Sequence, residues 1–204
     1  MNTPSELSDE DLLLRMVDGE EDAFTMLYRR RQGGIYRFAL RMTGNAGIAE
    51  EVTQETFLTL IRRPGKFDPA RGSLSAFLFG VARNVVLRSI GQEHSYVGRS
   101  DTDDDDSGQP VRNFGAGGNP DTGGDYERAQ MIEQVRRAVL SLPSIYREVV
   151  VLCELEEMNY EEAAVVLGCA LGTVRSRLHR GRTLLMEKLS ALRSGQPNLN
   201  AGKA

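Results

Sequence analysis

The stretch NYEEAAVVLGCALGTVRSRLHRGRTLLMEKL, residues 159–189, reads as two short helices joined by a tight turn. Asn159 is a good N-cap, and Glu162 stands three residues later, the spacing of a capping box. Ala163, Ala164 and Leu167 give the first helix an apolar stripe, and Gly168 can end it with φ > 0. The second helix is expected to begin near Gly172–Thr173. At about 100° per residue, Val174, Leu178, Gly181, Leu185 and Leu189 share one side, which must be buried. Arg175, Ser176, His179, Arg180 and Thr183 lie on the other. A helix, a short turn and a basic helix form the geometry that presents a recognition helix to the DNA major groove.

Basic amphipathic helices also serve as ordinary solvated faces, so the charge pattern around this one matters. Between Gly172 and Leu189, Arg175, Arg177, Arg180, Arg182 and Lys188 stand against Glu187 alone. Residues 148–162 hold Glu148, Glu154, Glu156, Glu157, Glu161 and Glu162 with no Lys or Arg. Structural surfaces usually mix their signs; here they are sorted. The net charge of the 204 residues is −4, so any contact with nucleic acid must come from local basic patches rather than bulk attraction.

Working outward, the rest of the chain divides by composition. Residues 8–93 and 126–192 carry helical periodicity, within domains expected over 1–93 and 126–193. Residues 94–125, HSYVGRSDTDDDDSGQPVRNFGAGGNPDTGGD, are rich in Gly, Asp, Ser and Pro and read as a flexible acidic linker. Asp101 and Asp103 to Asp106 cluster there, but such a setting holds no metal geometry, so they read as a solvated spacer. Residues 194–204 read as a frayed tail. The expected fold is all-α: two small helical domains on a tether, without a β-sheet. No apolar run looks long enough to span a membrane, and the acidic N-terminus does not resemble a signal peptide. Cys153 and Cys169 sit among apolar helix positions and read as reduced core residues of a cytoplasmic protein.

The first domain has its own polarity. Arg29, Arg30, Arg31, Arg37 and Arg41 interleave with Ile35, Tyr36, Phe38 and Leu40. In AEEVTQETFLTLIRR, residues 49–63, Ala49, Val52, Thr56 and Leu60 share a side. Glu51, Gln54, Glu55 and Leu58 gather on another, and an apolar Leu58 among acids and an amide hints at protein docking. Pro64–Gly65 ends that helix, the loop KFDPARGS follows, and SAFLFGVARNVVLRSI at 75–90 forms an apolar helix bearing Arg83, Asn84 and Arg88.

These stretches resemble the extracytoplasmic-function sigma factors of bacterial RNA polymerase. The resemblance rests on AFTMLYRR (23–30), IYRFALRMTGNAGIAEEVTQETFLTL (35–60), FDPARGSLSAFLFGVARN (67–84), LPSIYREVVVLCELEEMNYEEAA (142–164) and GTVRSRLHRGR (172–182), in that order. It implies a sigma region 2 domain over 1–93 and a sigma region 4 helix-turn-helix domain over 126–193. It further implies that Glu51, Gln54, Glu55 and Leu58 dock on the clamp helices of the largest polymerase subunit. The loop Phe67–Ser75, with Phe67, Asp68, Arg71 and Ser73, would capture an unstacked base of the −10 element. Arg83 and Asn84 would lie near the non-template strand, and Arg175, Ser176, Arg177, His179 and Arg180 would meet the −35 element. By the helical wheel Arg177 and Arg182 stand closer to the buried stripe, which suits phosphate or intradomain pairing. An anti-sigma partner is implied as well.

Several residues depart from the family pattern. Phe77 stands where a Trp is usual, Arg88 where an acid is common, and Gly91, Gln92, Glu93 and His94 replace a basic tail. Two other functions compete with the sigma reading. A stand-alone helix-turn-helix regulator accounts for 126–193 but leaves the first domain without a role. An enzyme finds no support, because His94 and His179 are the only histidines and no nucleophile–base pair, phosphate loop, cofactor site or metal-ligand spacing accompanies them.

Overall fold

The computed structural model describes residues 7–97 and 123–194. Eight α-helices make up the chain there, and no strand occurs among the described residues. Residues 98–122 of the 94–125 linker, with Asp101 and Asp103 to Asp106, and the tail beyond 194 lie outside them.

The first half begins with α1 (Asp9–Val17), capped by Ser8, whose Oγ accepts from Asp11 N at 3.0 Å while Asp11 Oδ2 accepts from Ser8 N at 3.2 Å. The long α2 (Glu21–Thr43) ends at Gly44, with φ of 69°. A Cβ at Gly44 would also fall 2.9 Å from Leu140 Cδ1, so both backbone and packing require glycine. Asn45 then caps α3 (Ala46–Arg62) by accepting from Ile48 N. Two single 3-10 turns, Pro64–Lys66 and Pro69–Arg71, lead into α4 (Leu74–Val97).

The second half holds α5 (Gly123–Leu140), α6 (Ser144–Val150), α7 (Tyr160–Leu167) and α8 (Leu171–Ser194). A π-helical turn, Val151–Leu155, extends α6 and gives way to Glu157 with φ of 54°. That left-handed residue turns the chain toward the Asn159 cap.

One expectation needs correction. Leu74–Gly91 has a mean hydropathy of 1.3 over 18 residues and is long and apolar enough to cross a membrane. Most of its apolar residues are nonetheless inside the protein: Leu74, Ala76, Leu78, Phe79, Ala82, Val85 and Val86 are buried, Leu87 is exposed, and Arg83, Asn84 and Arg88 interrupt the run. It is a core helix. The two helical halves joined by the linker are as expected, and the structure adds that they pack directly on each other. Their buried side chains form one continuous cluster, running from Leu12 and Phe38 through Phe79 to Leu142, Leu152 and Leu178. Burial of apolar surface at roughly 25 cal/mol per Å² drives that join, and arginines stitch its rim.

Candidate nucleic-acid and polymerase interfaces

The helix-turn-helix is built by α7, a turn and α8. Asn159 Oδ1 accepts from Glu162 N at 2.8 Å. The reciprocal half of the capping box is not made: the Glu162 carboxylate accepts instead from the Asn159 amide and, at 2.6 Å, from Ser73 Oγ of the first half. Gly168 closes α7 with φ of 61°, as its place after Leu167 suggests. In α8, Val174, Leu178 and Gly181 are buried, and Leu185 and Leu189 half-buried, along one side. Gly181 permits the crossing with α6, because a Cβ there would sit 2.8 Å from Val150 Cγ2. Arg175, Ser176, His179 and Arg180 are all exposed on the opposite face, while Arg177 is half-buried. Arg182 Nε donates to Glu154 Oε1 at 3.1 Å, an intradomain pair of the kind its wheel position suggests.

In the first half, α3 buries Ala49, Val52, Thr56 and Leu60, together with Thr53 and Phe57. Glu51 and Gln54 are exposed and Glu55 half-buried beside Leu58, which is 39% exposed. The structure adds Ile61, 47% exposed, one turn beyond Leu58. Its spacing of seven from Gln54 and three from Leu58 could have found it on the same face.

The loop before α4 is self-supporting. Asp68 accepts from Ala70 N at 3.0 Å and so nucleates the Pro69–Arg71 turn. Phe67 packs edge-on against Phe77, with centroids 5.8 Å apart, so the phenylalanine in the position usual for tryptophan still plugs the junction. Asp68, Arg71 and Asn84 are exposed. Ser73 accepts from Ala76 N at 3.2 Å, capping α4, as Glu10 does by accepting from Leu74 N.

Arg83 is not free. Its Nε and Nη2 lie 3.1 and 2.9 Å from Glu148 Oε2, across the join between the halves. Arg37 and Arg41 likewise pair with Glu156, and Arg30 and Arg31 with the buried Asp9. Burial raises the pKa of Glu156, outweighing the lowering by Arg41 and then Arg37. Of the sorted acids of 148–162, Glu148, Glu156 and Glu162 therefore have partners in the first half, which their sequence pattern did not disclose. Both cysteines are free and half-buried; burial, reinforced by Glu154, pushes the Cys153 thiol up to about 11, so little of it is thiolate. No group of His, Cys, Asp and Glu able to hold a metal ion occurs among the described residues.

Comparison with known proteins assigns the whole arrangement. Residues 27–95 match the family model of sigma-70 region 2, and residues 132–185 that of sigma-70 region 4. The ECF RNA polymerase sigma factor SigE of Mycolicibacterium smegmatis is 32% identical over 190 residues, 91% of this chain and 70% of that one. The chain belongs to the extracytoplasmic-function sigma factors. The sigma-E factor of Escherichia coli strain K12 is 30% identical over 194 residues, 92% of this chain and 97% of the other. Among solved structures, CnrH in complex with the cytosolic domain of CnrY aligns at 25% identity with a TM-score of 0.63, over 93% of this chain and 99% of that one. The sigma factor RpoE of Bartonella quintana, solved with the anti-sigma factor NepR, shares the fold at 24% identity, over 82% and 96% of the two chains, with the same TM-score of 0.63. This sigma factor is an alternative specificity subunit that directs transcription initiation, and a transcription factor rather than a catalytic enzyme. A stand-alone regulator would leave the region 2 match at 27–95 without a role.

Proposed function

We propose that the two halves divide promoter recognition, with α8 reading the −35 element and the Phe67–Ser75 loop and α4 engaging the −10 strand. The observation that carries this reading is the exposed row Arg175, Ser176, His179 and Arg180, opposite the buried Val174, Leu178 and Gly181 of the same helix. Arginine reads guanine edges bidentately, and neighbouring hydroxyl and imidazole groups can meet bases or phosphates. Arg177, half-buried, serves backbone contacts. On the first half, Phe67, Asp68, Arg71 and Ser73 take a splayed base, with Arg83 and Asn84 along the strand. Glu51, Gln54, Glu55 and Leu58 dock on the clamp helices of the largest subunit of core polymerase, where acids flanking an apolar anchor suit a basic partner. We also assign the chain a cytoplasmic place of action and an anti-sigma partner. The sigma factor RpoE of Bartonella quintana, which shares this fold and was solved with an anti-sigma factor, is in keeping with the second assignment.

Run-off transcription with core polymerase is the test. Arg175→Ala or Arg180→Ala is expected to weaken promoter engagement by roughly 1–3 kcal/mol where a bidentate base contact is lost. The loss should concentrate on promoters with an intact −35 element. Wild-type transcription by both variants would remove α8 from promoter reading.

A further inference from the structure

Two neighbouring acids tie α1 to the loop assigned to the −10 strand. This helix stands ahead of residues 27–95, the part that matches sigma-70 region 2. The buried Leu12 and Leu13 hold it in the core, and it touches α4. Glu10 Oε1 accepts from Leu74 N at 2.9 Å. Leu74 opens α4 and is fully buried, and no other acceptor meets its N–H among the described residues. A helix leaves its first N–H groups without partners of its own, and a buried one that stays unpaired is costly. A carboxylate also suits the positive end of the helix dipole. The adjacent Asp9, 6% exposed, pairs with Arg30 and Arg31, and Arg31 Nη1 donates to Ser75 Oγ at 3.3 Å. Glu10 directly, and Asp9 through Arg31, thus hold two successive residues, Leu74 and Ser75.

Those two residues are where the −10 loop meets α4. The N-terminal part of the loop closes on itself through Asp68 and Ala70 N. Gly72, with φ of 144°, then turns the chain, and Ser73 caps α4 by accepting from Ala76 N. The grip of Glu10 on Leu74 falls just past that turn, where it fixes the direction in which the loop leaves the helix. We infer that Glu10 is a positioning residue for −10 recognition: from α1 it anchors the end of the loop and so holds Phe67, Asp68, Arg71 and Ser73 in the geometry that selects the captured base. The inference rests on the assignment of that loop to the −10 strand. Glu10 acts through the backbone of Leu74, not on the base itself. Recognition groups must be held within about 0.5 Å of their productive geometry by the residues behind them. Selectivity is a difference between two affinities, so a loosened loop loses discrimination between bases before it loses binding. Every group concerned belongs to the first half, and the grip does not depend on the second.

The test is run-off transcription by the full chain with core polymerase on three kinds of template: one transcribed promoter, the set carrying each single-base change in its −10 element, and a version with a changed −35 element. Glu10→Ala is expected to lower discrimination against the −10 changes by about fivefold, the size of one lost hydrogen bond. Discrimination at the −35 element, affinity for core polymerase and helical content by circular dichroism should stay at wild type. Glu10→Gln keeps an acceptor oxygen at the same reach and should restore −10 discrimination. Glu10→Asp keeps the charge but withdraws the oxygen, and should behave as Glu10→Ala does; it also replaces that variant if alanine does not fold. Wild-type −10 discrimination by both Glu10→Ala and Glu10→Asp overturns the proposal. So does an equal loss at the −10 and −35 elements, which marks a general structural role, or a glutamine variant as impaired as alanine. Failure of the underlying assignment looks different. If Asp68→Ala with Arg71→Ala leaves −10 discrimination at wild type, the loop does not read the strand and the proposal falls with it. If that pair loses discrimination while Glu10→Ala keeps it, the proposal alone falls.

Discussion

Glu156 carries two opposing demands at one carboxyl group. Two arginines favour its charge, yet its side chain is 4% exposed and burial wins, so its folded pKa lies above its unfolded one. The fold therefore favours the protonated acid. This contribution is fully present below the ordinary glutamate range, declines as pH rises from there to the elevated folded value, and is constant beyond it. Glu156→Gln should remove that slope, and at neutral pH should be as stable as wild type or more so. Arg41→Ala should act oppositely, because it leaves a buried carboxylate with a single weaker partner. Thermal unfolding of the three proteins across the acidic pH range reads both effects. A wild-type slope preserved in Glu156→Gln would assign it to other groups.

Two elements carry the proposed interfaces, α8 and α3. In α8, Gly181→Ala gains helix propensity of about 1 kcal/mol but drives a methyl to 2.8 Å from Val150 Cγ2. Overpacking at such a crossing costs about 1–3 kcal/mol, so net destabilisation is expected by urea titration. Gly172→Ala meets nothing within 4 Å and should be neutral to slightly stabilising in the same assay. In α3, Gln54, Leu58 and Ile61 share an exposed face while the opposite side is buried. Lysine at 54 and 58 should lower affinity for core polymerase by removing the apolar anchor and opposing a basic partner. Leu58→Ala with Ile61→Ala should do so more mildly. Unchanged polymerase affinity with full helicity would reduce this face to solvated surface.

At the scale of the whole molecule, Arg147 ties three chain segments together. Its Nη1 donates to Met42 O at 2.7 Å near the end of α2, and its Nη2 donates to Leu142 O at 2.9 Å and to Leu140 O. Burial lowers its pKa, and its buried Nε has no hydrogen-bond partner, so the site is held together at some cost. Arg147→Ala frees the carbonyls at the ends of two helices. Hydrogen bonds to charged groups contribute about 1.5–3 kcal/mol each, so a loss of at least that size is expected. Because the buried core runs through both halves, wild type should unfold in one transition. In Arg147→Ala the halves should lose this coupling, giving separate transitions in calorimetry. A single transition at the wild-type midpoint would deny Arg147 that role.

Local signals were legible because they act over a few residues. The buried row Val174, Leu178 and Gly181, the cap at Asn159, the left-handed Gly168 and the buried side of α3 all follow from helical period and backbone sterics. So did the family, through motifs in fixed order, and with it the all-helical fold and the role in transcription initiation. Ion pairs between residues far apart in sequence leave no such periodic trace. Nothing in the sequence couples Arg83 to Glu148, Arg41 to Glu156 or Ser73 to Glu162, and the acids of 148–162 read equally well as a solvated face. The apolar length of Leu74–Gly91 is itself a local property of the sequence, and only packing shows where its side chains go. The sequence by itself determined the helices, their buried faces and the family. Only the tertiary structure decided that the halves close on each other, because that contact depends on side chains that are brought together by the packing of helices and not by their spacing along the chain.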